Sequence, residues 1–253
     1  MTKLLETKDL CKYFGGLRAV DGVDMGIDEG RILGIIGPNG AGKTTVFNLI
    51  MGYYKPTRGE IKLNGERIDG LEPHRIVRKG IARTFQIVRP FTGLSVLENV
   101  LVAYGHRYYA RSGSLWGRYG RASHEALEIL GFTGLARRKD LPASTLPIGF
   151  QRRLEIARGL ALNPALLLLD EPAAGLTEVE IAELKGLIRN IVEAGITVTL
   201  VEHRMSFVMD ICENIIVLDQ GKRIAEGDPE TVANDPEVIE AYLGSKEGED
   251  AED

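Results

Sequence analysis

The sequence predicts an α/β fold with a mostly parallel central sheet, on three observations. The runs Ile32-Leu33-Gly34-Ile35-Ile36, Leu166-Leu167-Leu168-Leu169 and Ile196-Thr197-Val198-Thr199-Leu200-Val201 read as strands buried on both faces, as in parallel sheets. The first run passes through a glycine-rich loop, Gly37-Pro38-Asn39-Gly40-Ala41-Gly42, into a helix from Lys43 to about Met51, closed by Gly52. An amphipathic helix over 178–194, with Ile181, Leu184, Leu187, Ile188 and Ile191 on one face, lies between the last two runs.

The remaining elements follow in order. Residues 3–36 read as short β segments joined by glycine turns, with Leu4-Leu5-Glu6-Thr7 and the alternating Val23-Asp24-Met25-Gly26-Ile27 as the clearest. Gly59-Glu60-Ile61-Lys62-Leu63, Asn64-Gly65 and Glu66-Arg67-Ile68 form a hairpin on an Asn-Gly turn. A short helix over 73–79 stops at Gly80, and a strand over 81–85 ends at Gln86. Ser95-Val96-Leu97-Glu98 is a capping box that starts a helical stretch reaching about Gly131. Within it, residues 104–121 are rich in Gly, Arg and Tyr, contain Trp116 and lack a clean period. They suit either an exposed docking surface or a helix pair closed on itself. Leu146-Pro147-Ile148-Gly149-Phe150 leads into a helix with Leu154 and Ala157 at helical spacing, which places Gly149 at its N-terminus. The chain closes with a hairpin around Gln220-Gly221, a helix over 231–243, and an acidic tail over 247–253 expected to be disordered.

Residues 37–45 fit G-x-x-x-x-G-K-[ST]. In that pattern backbone N–H groups cradle phosphates, a lysine reaches the outer ones and a hydroxyl serves Mg²⁺. Gly40 and Gly42 let successive N–H groups converge on an anion, and the helix behind them adds the positive end of its dipole. This is a nucleotide phosphate site. Asp170 and Glu171 end a central strand, where α/β sheets bind ligands. Beside a phosphate loop, Asp170 is placed to hold a metal's water and Glu171 to take a proton from an attacking water. His203, alone among the four histidines, follows a buried strand and reaches the same sheet edge. Tyr13 and Phe14 suit either core packing or stacking on a base.

Composition narrows the classes of function. The formal charge of −5 lies in the tail, whose five carboxylates leave residues 1–246 neutral, so nucleic-acid binding is disfavoured. Cys11 and Cys212 are isolated thiols, which fits a reducing compartment. No signal peptide is expected, because Glu6 interrupts the N-terminus before an apolar core can form. No run approaches the ~18 apolar residues of a membrane span. Membrane contact is therefore expected to go through a partner.

Taken in order, Phe14, residues 37–45, Gln86, residues 146–151, residues 166–171, Ala174-Gly175-Leu176 and His203 resemble an ABC-transporter ATPase subunit from end to end. The closer resemblance is to the ATPases of branched-chain amino acid importers. It rests on Phe14-Gly15-Gly16-Leu17, Ala82-Arg83-Thr84-Phe85-Gln86, Arg152-Arg153-Leu154-Glu155, Val201-Glu202-His203 and the ending Pro236-Glu237-Val238-Ile239-Glu240-Ala241-Tyr242-Leu243-Gly244. The resemblance implies one P-loop NTPase domain over 1–246, with an N-terminal antiparallel β subdomain and a helical subdomain at about 87–160. Phe14 would stack on adenine with Val20 beside it. Asn39, Gly40, Ala41, Gly42, Lys43, Thr44 and Thr45 would hold the phosphates of ATP. Thr44, Gln86 and Asp170 would serve Mg²⁺, Glu171 would be the general base, and His203 would contact the γ-phosphate. The subunit would dock on transmembrane permease subunits at the inner face of the cell membrane. It would also close head to tail on a second ATPase subunit, with Gly149 facing the partner's ATP.

Two departures stand out. The family's usual Leu-Ser-Gly-Gly-Gln survives here only as Leu146 and Gly149, because Pro147, Ile148 and Phe150 replace the rest. The later loop that usually ends in Asp carries Thr177. Both segments belong to the dimer contact, so homodimer and heterodimer stay open. Other readings are the ATPase of a urea or amide importer, a non-transport ABC switch protein and a small-molecule phosphotransferase. A switch protein normally needs two cassettes or a coiled-coil insert, and a phosphotransferase has no use for residues 146–151.

Overall fold

In a computed structural model, residues 3–85, 88–108 and 115–249 are described, except the side chains of 106–108, 115–119 and 243–249. The chain opens with β1 (Lys3–Phe14) and β2 (Leu17–Asp28), antiparallel strands of 12 residues each. They are longer than the sequence suggests. Irregular register shifts break their alternation and hide the continuity. β3 (Ile32–Ile36) is buried throughout and feeds α1 (Lys43–Ile50). β4 (Arg58–Leu63) and β5 (Glu66–Arg67) form the expected hairpin, with Asn64 and Gly65 at positive φ as a tight mirror-image turn demands. α2 (Pro73–Arg78) leads to β6 (Ile81–Arg83).

α3 (Val96–Tyr108) begins at the expected capping box. Glu98 Oε2 accepts from the Ser95 N–H at 2.7 Å, and Ser95 Oγ accepts from the Glu98 N–H at 3.2 Å. α4 (Leu115–Phe132) runs through Gly131 rather than stopping there. α5 (Ile148–Leu160), β7 (Leu166–Asp170), α6 (Glu178–Glu193) and β8 (Thr197–Val201) follow the sequence reading closely. The short α7 (Met205–Ile211) carries no periodic pattern long enough to identify from sequence. β9 (Asn214–Asp219) and β10 (Lys222–Gly227) are the closing hairpin.

The single C-terminal helix expected over 231–243 is two helices, α8 (Pro229–Ala233) and α9 (Pro236–Glu249). Pro236 cannot continue a helix but starts one well, and Asp235 Oδ1 accepts from the Glu237 N–H at 2.8 Å. α9 extends past Lys246 into the acidic stretch, and residues 250–253 lie outside the described residues.

Two sheets result. An antiparallel sheet has the order β2-β1-β4-β5, and a six-stranded sheet has the order β10-β9-β3-β8-β7-β6. In the larger one every neighbouring pair is parallel except β9 with β10. One core lies between the two sheets around α1, with Phe47 and Ile50 fully buried. A second covers the opposite face of the larger sheet under α6 and α7. A third joins α3, α4 and α5 through Val100, Ala126, Leu130 and Leu154. α5 therefore belongs to the helical layer and to the sheet at once.

Phe47 anchors the helix behind the glycine loop, with its ring fully buried in the first core. Phe47→Ala should destabilise the chain by about 3–5 kcal/mol. The check is a lower urea midpoint at unchanged slope.

Candidate active site

β3 aims the glycine loop at the C-terminal edge of the larger sheet. Two glycines are there because neighbouring backbone leaves no room. A Cβ on Gly37 would overlap the Leu218 carbonyl oxygen, and one on Gly42, at φ 102°, would overlap the Ala19 carbonyl oxygen. Gly40, at φ 79°, faces open space, so only its conformation favours glycine. Gly42 caps α1, residues 39–45 line the cleft, and Thr44 is exposed. Lys43 is buried, and its Nζ donates to the carbonyl oxygens of Gly37 at 2.7 Å and Pro38 at 2.8 Å. Burial lowers the Lys43 pKa, while the carboxylates of Glu171 and Asp170 act in the opposite sense.

The loop opens on a cleft of about 640 Å³ lined also by Phe14, Leu17, Ala19, Glu171, His203 and Gln220. Phe14 is 41% exposed and meets Tyr54 edge to face at 5.2 Å, with Lys12 Nζ 4.9 Å from its ring centre. It is therefore a surface ring rather than core. Val20, expected beside it, lies fully buried in the first core instead. A bulge around Gly22 (φ 73°) shifts the alternation of β2 and turns Ala19 toward the cleft. Leu17, Ala19 and Gln220 were not legible as site residues, because nothing in their types carries phosphate chemistry.

Asp170, Glu171 and His203 arrive together from β7 and β8, which pair in parallel with Asp170 opposite Val201. Asp170 is 3% exposed, and its Oδ2 accepts from Arg83 Nη2 at 2.7 Å. Arg83 also donates to Asn48 Oδ1 on α1 at 2.7 Å, and its guanidinium lies over the rings of Phe47 and Phe85. Nothing in the residues around Arg83 signals this pairing, because its partners lie on other elements. Glu171 has φ 47°, an uncommon left-handed conformation for a residue with a side chain. Its N–H donates to the Val201 carbonyl at 2.9 Å, and its carbonyl oxygen accepts from the Ala174 N–H at 3.2 Å. The turn aims the Glu171 carboxylate at His203, with Oε1 at 2.6 Å from Nε2. An ionised Glu171 only accepts, so this contact then uses the Nε2–H tautomer of His203. Gln86 lies outside the described residues.

Gly149 is not among the residues lining this cleft. It sits at the α5 N-terminus beneath Glu180, where an added Cβ would overlap Oε1. Glu180 and Thr177 form a complete capping box for α6, so the two divergent segments touch within one chain. Phe150 carries Arg138 over its ring at 3.6 Å, which gives it a packing role where the usual residue is Gln. Tyr104, the first aromatic of the 104–121 stretch, is 2% exposed and belongs to the helical core. The side chains of Trp116 and Tyr119, like all of 109–114, lie outside the described residues.

A glycine loop on a helix N-terminus, facing a strained carboxylate and its histidine, defines a nucleotide-binding ATPase cassette. The comparisons agree. The family model described as ABC transporter matches residues 20–174, and one described as Branched-chain amino acid ATP-binding cassette transporter matches 222–248. The chain is 46% identical, over 95% of its length and 98% of the relative, to the high-affinity branched-chain amino acid transport ATP-binding protein BraF of Pseudomonas aeruginosa. It is 44% identical over the same shares to the corresponding LivG of Escherichia coli K12. The solved ADP conformation of an ATP-binding cassette of an ABC transporter superposes with TM-score 0.86 at 32% identity, over 96% of this chain and 100% of that one. A dimeric bacterial ABC transporter cassette gives TM-score 0.77 at 30% identity, over 89% and 98%. The chain belongs to the ABC transporter family, as one of its ATPase subunits.

The crowded Gly42 and the open Gly40 separate two variants. Gly42→Ala should abolish ATP binding in a chain that still folds, because the Ala19 carbonyl must move. Gly40→Asn should retain most binding, since Asn tolerates left-handed φ and has space there. Titration calorimetry beside circular dichroism checks both.

Proposed function

We propose that this subunit hydrolyses ATP to drive an importer of branched-chain amino acids. The observation that carries the catalytic part is the 2.6 Å contact between Glu171 and His203 inside the cleft that holds the phosphate loop. The transported class is supported by the relatives' names and by the match of 222–248 to the branched-chain family model, which favours this reading over a urea or amide importer.

In this reading Phe14 stacks on adenine, and the N–H groups of 39–45 with Lys43 hold the phosphates. Glu171 takes the proton of the attacking water, and His203 orients Glu171 and the γ-phosphate. The Thr44 hydroxyl and the Asp170 carboxylate are hard oxygen donors that fit Mg²⁺, with Gln86 as a third donor. Among the described residues no cluster of three or more His, Cys, Asp or Glu is arranged to hold a metal, which suits a cation carried largely by phosphate oxygens. When bound, Mg²⁺ would neutralise developing charge on the phosphates.

Transmembrane permease subunits are the proposed docking partners, at the inner face of the membrane. Among the described residues no helix is long and apolar enough to cross a membrane. A second ATPase subunit, identical or different, completes a head-to-tail dimer in which Gly149 faces the partner's ATP. The helical subdomain at about 87–160 is the docking unit. Uptake of leucine against urea by the reconstituted assembly tests the transported class.

Glu171→Gln should lose about 10²–10⁴-fold in turnover while ATP binding stays intact. Equal losses of binding and turnover would remove Glu171 from the role of base.

A further inference from the structure

Immediately before His203 stands a second carboxylate that the reaction above does not use. Glu202 is 3% exposed and turns into the protein where β8 ends. Its Oε1 accepts from the Ala173 N–H at 2.7 Å. Its Oε2 accepts from the backbone N–H groups of His203 at 3.2 Å and Arg204 at 3.4 Å. An ionised carboxylate only accepts hydrogen bonds, so three converging N–H donors match its chemistry. Burial and the nearby Glu171 raise its pKa, while those same three N–H groups oppose the rise.

The two oxygens hold different segments. Ala173 lies two residues beyond Glu171, on the turn whose left-handed backbone aims Glu171 at the cleft. His203 and Arg204 belong to the segment leaving β8. One buried carboxylate thus spans the backbones carrying Glu171 and His203, while their side chains meet on the cleft side at 2.6 Å. A side chain that merely filled the space would not fix that spacing, because backbone N–H groups from two loops need an acceptor between them.

We propose that Glu202 is a positioning residue for ATP hydrolysis, whose carboxylate sets the separation of the Glu171 and His203 segments and so the contact between their side chains. The proposal rests on the reading of Glu171 as base and His203 as its partner.

The test is steady-state ATPase of the full chain in its transport assembly, beside nucleotide binding and thermal unfolding of each variant. Glu202→Gln keeps the shape and one acceptor but turns an amide NH₂ toward backbone N–H. It should lose about tenfold in kcat, with KM for ATP and nucleotide affinity unchanged. Glu202→Ala releases both segments and should lose about a hundredfold, as expected for a displacement near 1 Å. If the Ala variant unfolds, the isosteric Gln variant carries the test alone.

A double-mutant cycle distinguishes positioning from general stability. Adding Glu202→Gln to His203→Ala should cost less than about twofold, because the contact being positioned is already gone. Wild-type kcat in Glu202→Gln overturns the proposal. So does a parallel fall in kcat, affinity and melting temperature, or full multiplication of the two losses. Undiminished turnover in Glu171→Gln would instead sink the assignment of the base, and is read separately from the Glu202–His203 coupling.

Discussion

The cleft depends on two close backbone approaches. The carbonyl oxygens of Leu218 and Ala19 press against the glycine loop at Gly37 and Gly42, where any Cβ would overlap them. Those contacts fix the loop from outside: one comes from the strand beside β3, the other from the antiparallel sheet. Residues 39–45 of the loop are then left lining the cleft, with the N-terminus of α1 behind them. The antiparallel sheet consequently does more than cover a hydrophobic face. It supplies Phe14 to the rim and the carbonyl that seats the loop on one side.

Charge at the sheet edge is arranged by the same logic of partners from distant elements. Asp170 is buried, and a buried carboxylate is tolerable only with compensation. Arg83 provides it and reaches Asn48 on α1 with the opposite end of its guanidinium, which ties β6 and β7 to the helix behind the loop. Such a pair adds little net stability relative to apolar packing, but removing one partner typically costs about 3–5 kcal/mol. Its value here is geometric. One residue further on, the backbone turns at Glu171, and that strain presents the carboxylate to His203.

The divergent segments acquire a physical reading in the folded chain. Gly149 accommodates Glu180, and Glu180 is held by the capping box with Thr177. Replacing the usual Asp by Thr therefore keeps a cap on α6 and leaves that cap seated on the N-terminus of α5. A carboxylate introduced at Gly149 would meet Glu180 of its own chain before meeting any phosphate.

Local pattern alone determined the strands buried on both faces, the strand–loop–helix unit, both hairpins, the capping box at Ser95 and the placing of Asp170, Glu171 and His203 at the ends of buried strands. Each is set by neighbours in sequence: apolar runs, glycines where φ must be positive, and polar residues ending buried strands. Tertiary structure decided that Val20 is core and Ala19 is cleft, because a bulge at Gly22 changes the strand's parity without changing its composition. It decided that Tyr104 is buried and that Arg83 and Asp170, 87 residues apart, form a pair. It also gave Glu202 its three donors from two loops. The reason is common to all of these: a side chain's alternation and periodicity encode which face it takes, but its partner across an element depends on register, and register is set only when the sheets assemble.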